Sequence, residues 1–215
     1  MFPISDEVKK KTTPILTYFL VLSNVSVFAY SLIRGIDVFI DSYGYRPIYL
    51  GQCIRLETLL TSLFLHGGVE HLIGNLLFLY VFGRSVEDEI TPLPFIALYL
   101  VSGLAGNLLH TASVYLLSPS LTGTELTKPV IGASGAISGV LGAYIVLHPH
   151  ARIKTVVVYY YLLLLHIPVR FYVLTWFLYQ LAIGILSLGF PLGIAAWAHV
   201  GGFAAGAMIG TLIKK

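Results

Sequence analysis

Charge is scarce in this chain. Of 215 residues, 11% are Asp, Glu, Lys or Arg and 57% are hydrophobic, whereas a soluble domain carries about 25% charge because its surface must meet water. Thirteen basic and ten acidic side chains cannot cover a globule of this size. That excludes a soluble enzyme, a disordered tail and a nucleic-acid binder. The net charge of +3 comes partly from lysines at the two ends, where it signals orientation in a membrane rather than a polyanion site. Cysteine is scarcer still: Cys53 stands alone, which excludes a disulfide framework and a Cys-based zinc site. Nothing in the composition calls for a metal or a cofactor. The chain belongs in a bilayer.

What is present is a set of long uncharged runs, 12–33, 90–124, 129–151 and 171–213. A helix needs roughly 20 mostly apolar residues to cross a bilayer, and spans are expected near 13–33, 69–84, 93–115, 134–149, 169–188 and 194–213. Gly189-Phe190-Pro191-Leu192-Gly193 supplies the turn between the last two. A cleaved signal peptide is the alternative for the first run. It is disfavoured because the run is too long for a signal core and Ser31-Leu32-Ile33-Arg34 offers no small-x-small cleavage site. Residues 155–167, with three valines, three tyrosines and four leucines, are short for a span and suit an interfacial or re-entrant piece.

Six spans with the N-terminus inside place Lys9, Lys10, Lys11, Arg84, Arg152, Lys154, Arg170, Lys214 and Lys215 on the cytoplasmic side. Only Arg34, Arg46, Arg55 and Lys128 fall outside, which satisfies the positive-inside rule. A multi-pass protein of the cell membrane, both termini cytoplasmic and all 215 residues in one domain, is therefore expected. The loop from Gly35 to about Gly68 is external yet rich in aromatic and aliphatic residues, so it is expected to lie partly in the headgroups. The fourth span is short, about 22 Å at 1.5 Å per residue. Its outer end must begin below the membrane surface, surrounded by protein or water.

Polar side chains at membrane depth are costly and point to function. Here they are His71 and Asn75 in span two, Asn107 and His110 in span three, Ser134 and Ser138 in span four, Gln180 in span five and His199 in span six. His71 and Asn75 are four residues apart and share one helix face. Spans two, four and six thus each bring polar groups to a similar depth. Ser134 lies in Ile131-Gly132-Ala133-Ser134-Gly135-Ala136-Ile137-Ser138-Gly139. A Gly-x-Ser-Gly turn entering a helix is like the nucleophile elbow of serine hydrolases, with backbone N–H groups and a helix N-terminus facing a developing oxyanion. The same residues also suit close helix packing, since Gly135 and Gly139 have small-xxx-small spacing. Both readings stay open on the motif alone. A serine needs a base, and among the later spans only His199 offers one. No carboxylate lies in spans four to six, so any such unit is a Ser–His dyad, with Asn75, His71 and the Ser134 N–H available to an oxyanion. His66 is expected to make a loop-fixing hydrogen bond. Asn107 and His110 suit hydrogen bonding inside the bundle.

Assembled, these residues resemble a rhomboid intramembrane serine protease over roughly 58–210. Phe64 to Asn75, with His71-x3-Asn75, is similar to the family's span-two pattern; Ile131 to Gly139 is similar to its nucleophile segment; His199-Val200-Gly201-Gly202-Phe203-Ala204-Ala205-Gly206 is similar to its final helix. The resemblance implies an all-α polytopic membrane protein: a six-transmembrane-helix bundle with a membrane-embedded first external loop. It implies Ser134 as nucleophile, His199 as general base and an oxyanion hole served by His71 and Asn75. Gly132, Gly135, Gly139, Gly202, Gly206 and His66 support packing near the site. The apolar 155–167 segment then belongs to the connection between helices four and five. Two departures stand out: Glu57-Thr58 replaces the Trp-Arg that many members carry, with Arg55 displaced, and Ser138 replaces an aromatic that stacks on the histidine. The expected activity is endopeptidase cleavage of transmembrane protein substrates through an acyl-enzyme, without cofactor. The rivals are a catalytically inactive relative that binds membrane clients, and a small transporter, which would favour intramembrane carboxylates or internal repeats.

Overall fold

A computed structural model describes residues 2–117, 122–158, 162–190 and 192–214. In chain order the elements are β1 (Phe2–Asp6), α1 (Ile15–Arg34), α2 (Ile36–Tyr43), α3 (Pro47–Gly51), α4 (Thr58–Thr61) running into a 3-10 turn (Ser62–Phe64), and α5 (Val69–Phe78). A π-helical turn (Leu79–Gly83) joins α5 to α6 (Arg84–Ile90). Then follow α7 (Pro92–Leu117), α8 (Thr122–Glu125), α9 (Ser134–Leu147), β2 (Arg152–Val158), β3 (Leu162–Pro168), α10 (Val169–Ser187) and α11 (Ala196–Ile213).

Helices α1, α7, α10 and α11 are each long and apolar enough to cross a membrane. A fifth candidate is the pair Thr58–Phe64 and Val69–Ile90, bent by 93°. The expected fourth span is α9, apolar but only 14 residues long. The second span runs to Ile90 instead of ending at 84, because its acidic residues do not break it. Glu87 is buried and accepts from Leu16 N (2.9 Å), Thr17 N (2.7 Å) and Thr17 Oγ1 (2.7 Å). Asp88 accepts from the backbone N–H groups of Lys11 (2.9 Å) and Thr12 (2.6 Å). These carboxylates satisfy donors at and just before the start of α1, which has no capping side chain of its own.

The all-α expectation requires correction. β1, β2 and β3 form an antiparallel sheet in that order, with Phe2 opposite Val156, Asp6 opposite Ile153, and Arg152 to Val158 paired with Pro168 to Leu162. Residues 155–158 and 162–167 are thus paired strands; Tyr159, Tyr160 and Tyr161 lie outside the described residues, as do Pro191 and Lys215. The β-branched run Thr155 to Val158 favours extended backbone, and Pro168, which sits next to α10, ends the pairing. Asp6 fastens the sheet to the bundle, accepting from Lys10 Nζ (2.6 Å), Tyr144 OH (2.9 Å) and Ser85 Oγ.

The core centres on α9, buried from Gly135 to Tyr144 and packed chiefly on α11 and α7. Glycine allows that closeness. A methyl group at Gly202 would overlap Gly135 O, and one at Gly206 would overlap Gly139 O. One at Gly210 would come within 2.9 Å of Ala143 Cα. The two helices are therefore parallel and in register, 135 with 202, 139 with 206, 143 with 210, with the small residues repeating every fourth position on both.

The ends of the bundle differ in what they carry. The sheet, the N-terminal lysines, Arg84 and Lys214, whose Nζ donates to Val146 O (2.8 Å), lie at one end. At the other, the first loop docks on residues 126–130 through Tyr45 paired with Val130, Ile48 N to Leu126 O (3.0 Å) and Arg46 Nε to Thr127 O (2.7 Å). Tyr45 OH and Thr111 Oγ1, 2.6 Å apart, tie that loop to α7. Its outward face stays apolar at Val38, Tyr43, Ile54, Leu56 and Leu60.

Candidate active site

Ser134 is the first residue of α9, and His199 sits in the first turn of α11. The Gly135–Gly202 contact fixes their relative height, so two residues 65 positions apart meet without any long side chain reaching across. His199 Nε2 lies 2.8 Å from Ser134 Oγ, a normal hydrogen-bond length. On the far side of the ring, His199 Nδ1 is 2.7 Å from Gln180 Oε1 on α10. The first N–H groups of α9, Ser134 to Ala136, have no intrahelical acceptor and add the positive end of the helix dipole.

Gly132 closes the approach to the serine. Its φ of +113° is a conformation that L side chains rarely adopt, and a Cβ there would meet His71 Nε2 at 2.7 Å and stand 3.7 Å from Asn75 Nδ2. His71 and Asn75, on one face of α5, therefore both border the Gly132 backbone. Gly67 N–H makes a long contact (3.5 Å) to His71 Nδ1. A neutral ring accepting there carries its proton on Nε2, toward Gly132. Asn75 Nδ2 donates to His71 O (3.1 Å), leaving its amide a second hydrogen.

Among the described residues, two cavities reach the serine. One of about 520 Å³ descends from Glu125 and Lys128, past His110, to Ser134 and His199. The other, about 240 Å³, lies between α5 and α10 and touches His71, Asn75, Ser134, Trp176, Gln180 and His199. The structure thus brings together Ser134, His199, His71 and Asn75, with Gly132 and Gly135 at the turn. Gly139 and Gly206 lie further along the α9–α11 seam.

His66 differs from expectation. Among the described residues neither ring nitrogen has a well-formed hydrogen-bond partner. The ring, 2% exposed, packs edge-on against His71 with centroids 5.1 Å apart, so it supports the site by contact. Asn107 Nδ2 does bond within the bundle, to Leu59 O (3.0 Å) and Ser62 Oγ (3.4 Å). His110 Nδ1 has no partner among the described residues. Arg55 stays in the first loop, donating to Ser42 O and stacking on Tyr49. Ser138, where the resemblance leads one to expect an aromatic, donates to Ser134 O (2.6 Å). Trp176 lies beside the imidazole instead, centroids 6.2 Å apart. The sequence marked Gln180 as polar at membrane depth but gave it no role; its partner stands 19 residues away, across a turn of unforeseen geometry.

Residues 52–215 match the family model described as the Rhomboid domain. RHOMBOID-like protein 12, mitochondrial, of Arabidopsis thaliana is 33% identical over 168 residues, covering 75% of this chain and 47% of that protein. Rhomboid protein 1, mitochondrial, of Saccharomyces cerevisiae is 34% identical over 139 residues, covering 64% of this chain and 38% of that protein. A Bacillus subtilis protein named "Putative rhomboid protease YdcA" is 30% identical over 139 residues, 61% of each chain. The chain spans less than half the length of the first two relatives.

Proposed function

The chain belongs to the rhomboid family, and on that footing we propose that it is an intramembrane serine endopeptidase that cleaves transmembrane protein substrates. The observation that carries this reading is the 2.8 Å approach of His199 Nε2 to Ser134 Oγ between two different apolar helices. Ser134 Oγ attacks the scissile carbonyl while Nε2 takes its proton. The tetrahedral oxyanion is held by the Ser134 N–H at the head of α9 and by donors from His71 and Asn75, each such donor being worth about 3 kcal/mol. The imidazolium returns the proton to the leaving amine, and water then releases the acyl group by the same route in reverse.

In this reading α9 is a sixth, short membrane-embedded segment, so the serine lies below the surface and the 520 Å³ cavity brings water to it. The 240 Å³ cavity between α5 and α10 is the lateral entry for substrate. The scissile stretch must leave helical conformation there, because a helix ties up its carbonyls internally. The end that carries Lys9, Lys10, Lys11, Arg84 and Lys214 faces inward in this reading, following the positive-inside rule. Two relatives are named as mitochondrial, which does not support the cell membrane expected from charge. The test is cleavage of a transmembrane reporter by purified protein in detergent. Wild type is expected to cut it, and Ser134→Ala and His199→Ala to fall to background; cleavage that survives both substitutions overturns the reading.

A further inference from the structure

Among the described residues no carboxylate stands behind the imidazole, yet the ring is held on both sides. Ser134 Oγ is 2.8 Å from Nε2 and Gln180 Oε1 is 2.7 Å from Nδ1. These contacts are coupled through the tautomer. A ring that donates from Nδ1 turns the Nε2 lone pair toward Ser134, as a base requires. A ring that accepts at Nδ1 carries its proton on Nε2 and can only donate to the serine. The identity of the atom facing Nδ1 therefore decides whether the pair can start a reaction.

Gln180 is well placed to decide it. It is 8% exposed, in the middle of α10, and α10 is clipped to α11 a second time one turn later. There Trp197 Nε1–H donates to Gly184 O (2.9 Å), and the missing Cβ of Gly184 lets the indole lie close. Trp176, one turn earlier on α10, packs beside the same imidazole. We propose that Gln180 is a positioning residue: its amide oxygen accepts the Nδ1–H of His199, selecting the tautomer in which Nε2 can take the Ser134 proton. An uncharged amide thus fills the place that a carboxylate holds in a Ser–His–Asp triad. Because Gln180 also walls the 240 Å³ cavity, the ring keeps its orientation only while α10 stays docked on α11.

The inference rests on the protease reading for its consequence, but it can be tested apart from it. Gln180→Glu keeps an acceptor at Nδ1, and Gln180→Met keeps length without one. With a transmembrane reporter, Gln180→Met is expected to lose about tenfold or more in kcat with KM within about twofold, and Gln180→Glu to restore most of it. Equal losses in both variants, or wild-type kcat in Gln180→Met, overturn the proposal. Histidine-selective 15N NMR, with the His199 signals assigned by His199→Gln, reads the tautomer without any turnover. The proton is expected on Nδ1 in wild type and Gln180→Glu, and distributed over both nitrogens in Gln180→Met. A wild-type ring protonated only on Nε2 overturns the proposal. The expected tautomer in a protein that cuts no reporter sinks the protease reading and leaves the positioning role standing.

Discussion

Replacing Gly202 by alanine should disable the site without touching either reacting group. The added methyl would overlap Gly135 O and lie 2.9 Å from Gly135 C. Reaching ordinary van der Waals separation from that oxygen requires α11 to retreat from α9 by roughly 1 Å. Gly202 is three residues from His199 and Gly135 adjoins Ser134, so the retreat passes almost undiminished into the 2.8 Å Nε2–Oγ distance. A hydrogen bond stretched to about 3.5 Å is largely lost, and a misplacement of about 1 Å can cost 10²-fold in rate. The measurement is kcat on a transmembrane reporter, with helicity and melting recorded alongside. Gly210→Ala is the control, since its methyl meets Ala143 Cα at 2.9 Å on the same seam two turns further from the site. It should cost some stability but far less activity. If Gly202→Ala cleaves at the wild-type rate, or Gly210→Ala is the more damaged in kcat, the seam does not set the site.

Glu87→Ala leaves three donors at the start of α1 without their acceptor; at a total of about 3 kcal/mol it should lower the melting temperature by roughly 6–12 °C in a thermal scan. Gly132→Ala sets a methyl 2.7 Å from His71 Nε2 at a φ of +113°, so reporter cleavage should fall about 10²-fold or more while the span topology, read by protease protection, stays unchanged. Acidification should extinguish cleavage, because only a neutral His199 can accept the serine proton. A reporter rate that stays flat as the histidines titrate would remove His199 as the base.

Much of the candidate site is legible because it is written in local motifs. His71-x3-Asn75 states a helix face, and Gly-x-Ser-Gly states a turn into a helix. The glycines after His199 repeat every fourth position in step with those after Ser134, so the seam that joins the two segments was already in the spacing. What escaped depends on pairing across long separations. Phe2 to Asp6 has no strand pattern of its own and becomes a strand only by meeting residues 153–156. The signal for its partner lies in Thr155 to Val158, whose β-branched side chains are apolar enough for a membrane yet favour extended backbone. Glu87 lies beyond the expected end of span two, and its role leaves no mark on residue type because two of its three donors are backbone N–H groups of another helix. Gln180 could be singled out as polar in an apolar run, but finding its partner needed the turn that sets α10 against α11.

The most direct measurement is the site of reaction with a fluorophosphonate, mapped by mass spectrometry of the digested protein. Attack by an activated serine predicts a single phosphonylated peptide modified at Ser134 and its loss in the His199→Ala variant. Modification at another residue, equal labelling without His199, or an unlabelled Ser134 under conditions that label other serine hydrolases would contradict the account.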